Sequence, residues 1–408
     1  MSLAIPQETV ISLSGRGEQG IARLQKLRVA IVHYWFVSRR GGERVVEAMA
    51  KMFPGADLFF LVMDPEKLPA SLQGRSIKTS FLQKIPGSRH WHRHMLPLYP
   101  LALEQFDLGE YDLVLSSESG PAKGVLTNAQ TCHVCYCHSP MRYLWDFYHG
   151  YRKGHSLGML SRPVFSLASH YMRMWDVASA QRVDHFVANS RNVAARIRKH
   201  YRRESTVIHP PVNVRAGYVA NLVEDYYLCV GQLVDYKRVD LAIAACNRLG
   251  RRLRIVGEGE EYRRLRRLAG RTIEFCGALS DDELREQYAH CRALLFPGEE
   301  DFGIVPVEAM SFGRPVVAYD RGGARETVNG FYAESPACVG NCSGVFFREQ
   351  TAESLMEAML ALEGAENEFL PFPIKQSVER FDESLFRSGL ASFLEEKLNE
   401  SRSDGWEG

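Results

Sequence analysis

Short apolar segments alternate with turns and amphipathic segments along most of this 408-residue chain. Residues 27–35 have the pattern of a buried strand, and they lead into a glycine-containing turn and a segment with apolar residues at helical spacing. Further strand-like segments follow at 56–63, 111–117, 131–137, 185–190 and 205–212. This alternation predicts an α/β fold with parallel, doubly wound sheets.

The chain divides into two such series at His209-Pro210-Pro211, because consecutive prolines cannot continue the interior of a strand. Beyond them, strand-like segments recur at 226–231, 252–257, 272–277, 292–297 and 315–320. We therefore expect two Rossmann-like doubly wound domains that face each other across a cleft. The predicted parts are a weakly ordered leader (1–26), a first domain (27–212), a second domain (213–376), a C-terminal helix that packs back toward the first domain (377–399) and a tail (400–408).

The composition excludes several classes of protein. With 50 basic and 49 acidic residues, the chain lacks the net positive charge of a general nucleic-acid binder. No run approaches the ~20 apolar residues that span a bilayer, and the polar residues at 6–8 interrupt the early apolar patch, so we expect no signal peptide. Nine cysteines in such a chain predict reduced thiols and a cytoplasmic location.

A short cluster of metal-ligating residue types is formed by Cys132, Cys135, Cys137 and His138. Alternation along a strand, however, places neighbouring side chains on opposite faces. No second Cys/His pair follows at zinc-like spacing. We therefore predict no metal site there.

Residues 294–313 combine a strand end, an acidic loop and a helix, with Glu300 in the loop and Glu308 near the helix start. We expect Glu308 in the first helical turn, where exposed N–H groups and the macrodipole stabilise a carboxylate. Paired carboxylates suit sugar hydroxyls, since each oxygen can accept a hydrogen bond from one of two vicinal hydroxyls. The alternative is that Glu308 is only a helix-start residue and Glu300 a solvated acid.

Glycines recur where strands are followed by helices, at Gly41-Gly42, Gly257 and Gly322-Gly323. Glycine lets the backbone approach a phosphate closely, and a helix N-terminus supplies N–H donors. Lys237 and Arg238 lie in a similar loop and would suit a diphosphate, although a solvated basic helix start is the alternative. Together the turns predict a nucleotide-sized ligand.

The first domain offers further candidates. His138 follows a strand and could orient a sugar hydroxyl, Arg142 could hold an anion, and Ser190 is a good helix N-cap. A structural histidine and a packed surface helix with a charged outside are the alternatives. The basic helix at 190–203 and the basic, aromatic stretch at 78–100 would suit an anionic membrane, a lipid-diphosphate acceptor or single-stranded nucleic acid.

The chain resembles the retaining glycosyltransferases of family 4, which have the GT-B fold. The resemblance spans residues 27–394 and rests first on E-DFGIVPV-E, followed by AMSFGRPVVA. The other motifs that carry it are, in chain order, SRRGGER, YCHSPMRYLWD, FVANSRNVAARI, IHPPV, VGQLVDYKRVDLAI, IVGEG and RGGARETV. Within the family, the chain is most similar to bacterial GDP-mannose-dependent mannosyltransferases that assemble O-antigen or exopolysaccharide units on a lipid-diphosphate carrier.

The resemblance implies roles for individual residues. His138, Glu300 and Lys237 would be catalytic. Glu308 would bind the donor ribose. The implied substrate-binding residues are Gly41, Gly42, Arg142, Ser190, Gln232, Arg238, Gly257, Glu258, Phe302, Gly303, Ile304 and Glu308. One position departs from the pattern, because many members have Gly-Arg where this chain has Gly231-Gln232; either Arg238 substitutes for the arginine or phosphate binding is weaker.

The implied activity is a metal-independent, cofactor-independent and retaining transfer of a hexose to a sugar hydroxyl. The donor would be a nucleotide-sugar, most plainly GDP-mannose, bound by the second domain. The acceptor would be lipid-linked or an oligosaccharide, bound by the first domain at the inner face of the cytoplasmic membrane; nucleic acid is not expected as a partner. The alternatives are a UDP- or dTDP-sugar transferase, a nucleotide-sugar epimerase, or a non-catalytic scaffold of a polysaccharide assembly complex.

Overall fold

The computed structural model describes residues 21–153, 161–335 and 342–403. Within these ranges, fourteen strands form two sheets of seven, and every pair of neighbouring strands is parallel. Helices connect the strands, as parallel pairing requires. The two Rossmann-like sheets with their helices confirm the predicted fold class.

The first sheet has the order β3-β2-β1-β4-β5-β6-β7. The order reverses between β1 and β4, which opens a crevice at the carboxyl ends of these two strands. The strands are β1 (Val29–Phe36), β2 (Asp57–Met63), β3 (Ile77–Thr79), β4 (Leu113–Glu118), β5 (Cys132–Cys137), β6 (His185–Ala188) and β7 (Ser205–Val207).

The second sheet has the order β10-β9-β8-β11-β12-β14-β13, with its own reversal between β8 and β11. Its strands are β8 (Tyr227–Val230), β9 (Leu253–Val256), β10 (Ile273–Gly277), β11 (Ala293–Phe296), β12 (Val316–Tyr319), β13 (Gly330–Tyr332) and β14 (Gly344–Phe347).

The helices in the described residues flank both sheets. They are α1 (Gly41–Met52), α2 (Ser88–Trp91), α3 (Tyr99–Glu104), α4 (Tyr148–Lys153), α5 (Ser161–Ala180), α6 (Arg191–Tyr201), α7 (Val239–Leu249), α8 (Tyr262–Leu268), α9 (Asp281–His290), α10 (Ile304–Ser311), α11 (Ala324–Thr327), α12 (Ala352–Gly364), α13 (Pro371–Ser377) and α14 (Glu383–Ser403).

Local sequence explains where the helices beside the cleft begin. Ser190 caps α6, because its hydroxyl accepts a hydrogen bond from the N–H of Val193 at 3.1 Å. Ser280 and Glu283 form a capping box at the start of α9. Ser190 matches its predicted capping position, and the two caps give α6 and α9 fixed entry points beside the cleft.

Two predictions about the cleft helices need correction. Helix α10 begins at Ile304, so Glu308 lies in the second turn and not the first, beyond the reach of the terminal N–H groups. Gly41 and Gly42 are the first two residues of α1 and do not form the preceding turn. Each of the two positions still has a partner in the opposite domain, because Gly41 lies against Ile304 and Glu308 pairs with Arg44.

The C-terminal helix α14 packs into the core of the first domain. Phe386, Leu390 and Leu394 are buried in the same apolar cluster as Val45 and Met49 of α1. At the start of α14, Glu383 accepts a hydrogen bond from the Lys51 ammonium at 2.8 Å. The chain therefore returns from the second domain to the first. Of the predicted leader and tail, 1–20 and 404–408 lie outside the described residues.

The sequence also predicted reduced cysteines and no membrane-spanning segment. Seven described cysteines are free, as expected for reduced thiols, but Cys342 is disulfide-bonded, so that expectation does not hold throughout. Among the described residues, none of the helices has the combination of length and apolar content that crossing a bilayer needs. The same residues contain no group of three or more His, Cys, Asp and Glu side chains placed to hold a metal ion.

Candidate functional site

Lys237 and Glu300 meet at the carboxyl ends of the second domain's central strands. Lys237 follows β8 and Glu300 follows β11, and the ammonium lies 2.7 Å from the carboxylate. Their side chains are only 16% and 20% exposed, respectively. Burial lowers the pKa of Lys237, but the charge of Glu300, the nearby Tyr236 and the hydrogen bond to Glu300 together raise the pKa above its ordinary value. The pair therefore places a permanent cation at the floor of the cleft.

Glycines let the loops around this pair approach one another. A Cβ on Gly298 would lie 2.8 Å from the Cα of Lys237, and one on Gly257 would lie 2.0 Å from the carbonyl oxygen of Gly231. Gly257 and Gly231 also have φ angles of 129° and 141°, which favour glycine. The loops after β8, β9 and β11 consequently form one continuous floor of backbone.

Glu308, the second acid of the predicted motif, contacts both domains. One oxygen is paired with the guanidinium of Arg44 in α1, and the other accepts a hydrogen bond from the Tyr288 hydroxyl at 2.9 Å. These residues line a cleft with a cavity volume of about 120 Å³ together with Arg39, Asn213, Ala216, Asp281, Leu284, Arg285, Ser311 and Phe312. Its carboxylate can accept hydrogen bonds from the hydroxyls of a ribose.

Two histidines meet on Ser117 at the end of β4 in the first domain. His138 Nε2 lies 2.9 Å from the Ser117 hydroxyl, and His33 Nδ1 lies 2.7 Å from the Ser117 carbonyl oxygen. Burial lowers the pKa of His138 to about 3 and that of His33 to about 4. Both rings are therefore neutral near pH 7 and can only exchange hydrogen bonds with a ligand.

Gly42 lies directly against these two rings. A Cβ there would be 3.4 Å from His33 Cε1 and 3.6 Å from His138 Nε2. His33 Nε2 is buried without a hydrogen-bond partner among the described residues. His33 was not predicted, since it sits within a strand pattern; its polar ring in an otherwise apolar run was the available signal.

Asp301, beside Glu300, collects contacts from the first domain. Arg196 pairs with its carboxylate, Arg142 lies 3.5 Å from it, and the Ser190 hydroxyl donates to its carbonyl oxygen at 2.7 Å. Arg142 also donates to the Glu299 carbonyl oxygen at 3.0 Å. The predicted residues Arg142 and Ser190 thus hold the loop that carries Glu300, while Arg196 was missed as a cleft residue.

Several other predicted residues lie in the join between the domains. A Cβ on Gly41 would lie 2.6 Å from Ile304 Cδ1, so α1 and α10 meet end to end. Gly303 precedes α10 with a φ of 87°. Phe302 is buried, and its ring centroid lies 5.3 Å from those of His209 and Phe381. Its side chain therefore packs between the two domains.

Arg238 and Glu258 are not brought to the Lys237–Glu300 pair. The Arg238 guanidinium is held by Asp240 at 3.1 Å and lies 3.3 Å from Gln350. Glu258 is exposed and contributes its carbonyl oxygen to Leu233 N–H at 2.9 Å. The sequence could not place these side chains, because both follow a strand end just as the cleft residues do.

A buried ion network, also missed, lies behind the strand end that carries His138. The Lys123 ammonium pairs with Asp176 at 2.5 Å and with Glu118 at 3.3 Å, all with fully buried side chains. Asp176 also accepts hydrogen bonds from Trp145 Nε1 at 2.8 Å and the Tyr201 hydroxyl at 3.1 Å. The network ties α5 and α6 to the loop after β5.

Two family models match successive parts of the chain. Residues 39–216 match the model described as Glycosyltransferase Family 4, and residues 214–368 match that of Glycosyl transferases group 1. The two models meet at residues 214–216, a few residues beyond the consecutive prolines at 210 and 211.

Individual relatives match shorter segments. The chain is 30% identical over 164 residues to human alpha-1,3/1,6-mannosyltransferase ALG2, covering 38% of this chain and 36% of that protein. It is 39% identical over 100 residues to a GDP-mannose-dependent alpha-mannosyltransferase of Mycobacterium tuberculosis, covering 24% and 26%. The chain spans less than half the length of the curated relatives it matches.

Among solved structures, Anabaena Alr3699/HepE in complex with UDP and glucose superposes with a TM-score of 0.68 at 16% identity. The superposition covers 90% of this chain and 99% of that one. At this identity the likeness concerns the fold, in which two Rossmann-like domains enclose the cleft described above.

Proposed function

We propose that the chain is a retaining, metal-independent mannosyltransferase, since it has the GT-B fold and glycosyltransferase family models match both of its halves. In this proposal, the donor is GDP-mannose and the acceptor is a sugar hydroxyl on a lipid-diphosphate-linked or polysaccharide-precursor glycan. The observation that carries the proposal is the largely buried Lys237–Glu300 pair at the carboxyl ends of the second domain's central strands, while His138 and Gly42 lie together in the first domain.

The pair suits the charges that develop when a sugar leaves a nucleoside diphosphate. Lys237 supplies positive charge for the departing diphosphate at a largely buried position, where it is worth more than in water. Glu300 keeps the ammonium charged and can accept hydrogen bonds from sugar hydroxyls. His138, as a neutral imidazole, contacts the transferring sugar without adding charge.

Retention is proposed to follow from attack on the same face of the sugar that the diphosphate leaves. The bond between the anomeric carbon and the phosphate oxygen breaks, the acceptor oxygen bonds to that carbon, and the leaving phosphate takes the acceptor's proton. Neither glutamate acts as a covalent nucleophile in this scheme. The Lys237 charge stabilises the phosphate throughout.

The donor is the least constrained part of the proposal. One matched relative is a GDP-mannose-dependent alpha-mannosyltransferase, which supports GDP-mannose as the donor. The structural neighbour with bound UDP and glucose favours the second candidate, a UDP-sugar transferase. We therefore test the base first, by thermal unfolding with GDP, UDP, dTDP and their sugars, with and without EDTA.

A ligand at one hundred times its dissociation constant stabilises the fold by ~2.7 kcal/mol, a shift of a few degrees. We expect a response to GDP and GDP-mannose that EDTA does not reduce. A response confined to UDP compounds would replace the donor, loss of the response in EDTA would contradict metal independence, and silence in the whole panel would favour the non-catalytic scaffold.

Turnover is tested with Glu300→Gln, which keeps the size of the side chain but removes its charge. We expect this variant to lose at least about 100-fold in transfer to a lipid-linked or soluble mannose acceptor while its unfolding temperature stays within a few degrees. Glu299→Gln, at the neighbouring loop position, is the matched control. The anomeric configuration of the product, measured by NMR, decides between retention and inversion.

A membrane-bound acceptor requires a surface that meets the bilayer, and helix α5 of the first domain offers one. Val164, Leu167, Tyr171 and Met174 recur at helical spacing and are 68%, 73%, 45% and 55% exposed. The basic, aromatic stretch at 78–100 adds Trp91, which is 60% exposed, in a segment containing several cations. We propose that both contact an anionic bilayer surface.

Co-sedimentation with vesicles tests this contact. We expect binding to vesicles with anionic lipid, weaker binding to neutral vesicles, and at least about a tenfold loss in Leu167→Asp. Phe372→Asp, at a second-domain side chain that is 74% exposed, is the control and should bind as the wild type does. Equal binding by both variants would exclude α5 as the contact surface.

A further inference from the structure

Gln232 departs from the family pattern, yet the structure brings a guanidinium to it from the opposite domain. The Gln232 side-chain oxygen accepts a hydrogen bond from Arg40 Nη1 at 2.9 Å. Arg40 directly precedes α1 in the first domain, and Gln232 follows β8 in the second. A cation therefore lies beside the position where many family members carry an arginine.

Arg40 differs from the neighbouring arginines in the kind of partner it has. Arg39 pairs with Glu47 at 2.8 Å, and Arg44 pairs with Glu308. The Arg40 guanidinium instead contacts the neutral amide of Gln232, so its charge is not neutralised by that contact. Its side chain is exposed to the cleft, which leaves its remaining N–H donors for an anion.

The charge of Arg40 also reaches the Lys237–Glu300 pair. Burial lowers the pKa of Lys237 and Glu300 raises it, while the positive charge of Arg40 acts on Lys237 in the lowering direction. The two cations therefore repel one another. A doubly charged phosphate group between them would relieve this repulsion.

Arg238, the substitute expected from sequence, does not fill this role in the structure. Asp240 contacts its Nε and Nη2 atoms at 3.1 and 3.2 Å, and this carboxylate balances its charge. Arg40 therefore has the better geometry for the missing cation.

We propose that Arg40 supplies, from the first domain, the second diphosphate-binding cation of the site, and that Gln232 is the positioning residue that orients it. This inference rests on the proposed function, because it assigns a contact to the same nucleotide-sugar donor. It adds that the diphosphate is gripped from both domains, by Lys237 of one and Arg40 of the other.

The test compares ligands that differ only in their phosphates. Binding of GDP and guanosine, with UDP and uridine in parallel, is measured by calorimetry on the full chain. We expect Arg40→Ala to weaken binding of the diphosphate that the wild type prefers by about 10- to 100-fold, the loss of one charged hydrogen-bond donor. Binding of the matching nucleoside should change less than about twofold.

The charge can be returned from the other domain. The double variant Arg40→Ala/Gln232→Arg places an arginine at the usual family position, and we expect its diphosphate affinity to return to within about threefold of the wild type. If Gln232 orients Arg40, Gln232→Ala should weaken diphosphate binding strongly when Arg40 is present and little in the Arg40→Ala background. A double-mutant cycle of these two residues should therefore show coupling. Additive effects would overturn that role.

Arg198→Ala is the control for unspecific loss of positive charge, since Arg198 of the first domain pairs with Glu204 on the surface at 2.9 Å. An equal loss of affinity in this variant, or an unchanged affinity in Arg40→Ala, would overturn the inference while leaving the proposed function intact. If the wild type binds none of the four probes, the proposed function itself fails, and the inference fails with it.

Discussion

At the residue scale, the carboxylates of the cleft differ in how their charge is balanced. Glu300 pairs with Lys237, and Glu308 pairs with Arg44, so each acid meets a cation in the structure. Glu43 in α1 is buried and accepts a hydrogen bond from the Arg40 N–H at 3.0 Å. Burial raises the pKa of Glu43 to about 7, so this acid exchanges its proton near physiological pH.

The pH dependence of stability should report this buried acid. Because the folded pKa of about 7 lies above the unfolded value of 4.5, the stability that protonated Glu43 contributes is complete below pH 4.5 and is lost as the pH rises through 7. We expect the unfolding free energy of Glu43→Gln, relative to that of the wild type, to increase by about 2 to 3 kcal/mol from pH 5 to pH 8. Urea unfolding at both values measures it, and an equal difference at both would contradict the assignment.

For individual residues, the sequence could predict local features but not the partners that lie far away in the chain. Ser190 could be assigned as a helix cap, because capping depends on a few neighbouring residues. The partners of Glu308 and Gln232 could not, because Arg44 and Arg40 lie about 190 to 265 positions away in the chain. Contacts across a cleft leave no local pattern.

At the element scale, the site depends on strand-to-helix loops that only glycine allows to close. Gly257 combines a φ of 129° with a Cβ position 2.0 Å from the Gly231 carbonyl oxygen. Any side chain there would push the loops after β8 and β9 apart. The loops that carry Lys237 would then move with them.

We therefore expect Gly257→Ala to cost about 1 to 3 kcal/mol in unfolding free energy and to weaken nucleotide binding at least tenfold. Gly250→Ala is the matched control, since Gly250 also has a positive φ, of 65°, but nothing lies within 4 Å of its Cβ position. It should cost about 1 kcal/mol and leave nucleotide binding unchanged. Similar binding losses in both variants would contradict the role of the loop contact.

Most elements could be predicted from their apolar patterns, but the short strands β3, β13 and β14 could not. Strands β3 and β13 have three residues each, too few for an alternating pattern, and β3 carries Lys78 at the edge of its sheet. Strand β14 has four, all buried, and follows a cysteine-containing segment that reads as a loop. Short strands depend on their neighbours for stability, which the local sequence does not contain.

At the scale of the whole molecule, charged contacts hold the two domains together. Arg39 lies 3.3 Å from Asp281, and Arg196 pairs with Asp301 and lies 3.4 Å from Glu299. The first domain contributes the cations and the second the acids. The closed arrangement is therefore sensitive to the loss of a single buried arginine.

We expect Arg196→Ala to disfavour the closed arrangement by about 1 to 3 kcal/mol, giving a larger radius of gyration in small-angle X-ray scattering. Arg198→Ala is the control on the same helix, because Arg198 pairs with Glu204 on the surface at 2.9 Å and 66% exposed. It should scatter as the wild type does. A closed arrangement that survives in Arg196→Ala would show that apolar packing alone holds the domains.

The return of α14 to the first domain has a consequence for synthesis on the ribosome. Helix α1 emerges on the order of 300 residues before α14, whose Phe386, Leu390 and Leu394 cover part of its apolar face. At roughly 5 to 20 residues per second, the nascent first domain waits about 15 to 60 s with that face uncovered. Chaperones that bind exposed apolar surface would have this interval in which to engage it, and the first domain becomes complete only after the second has been made.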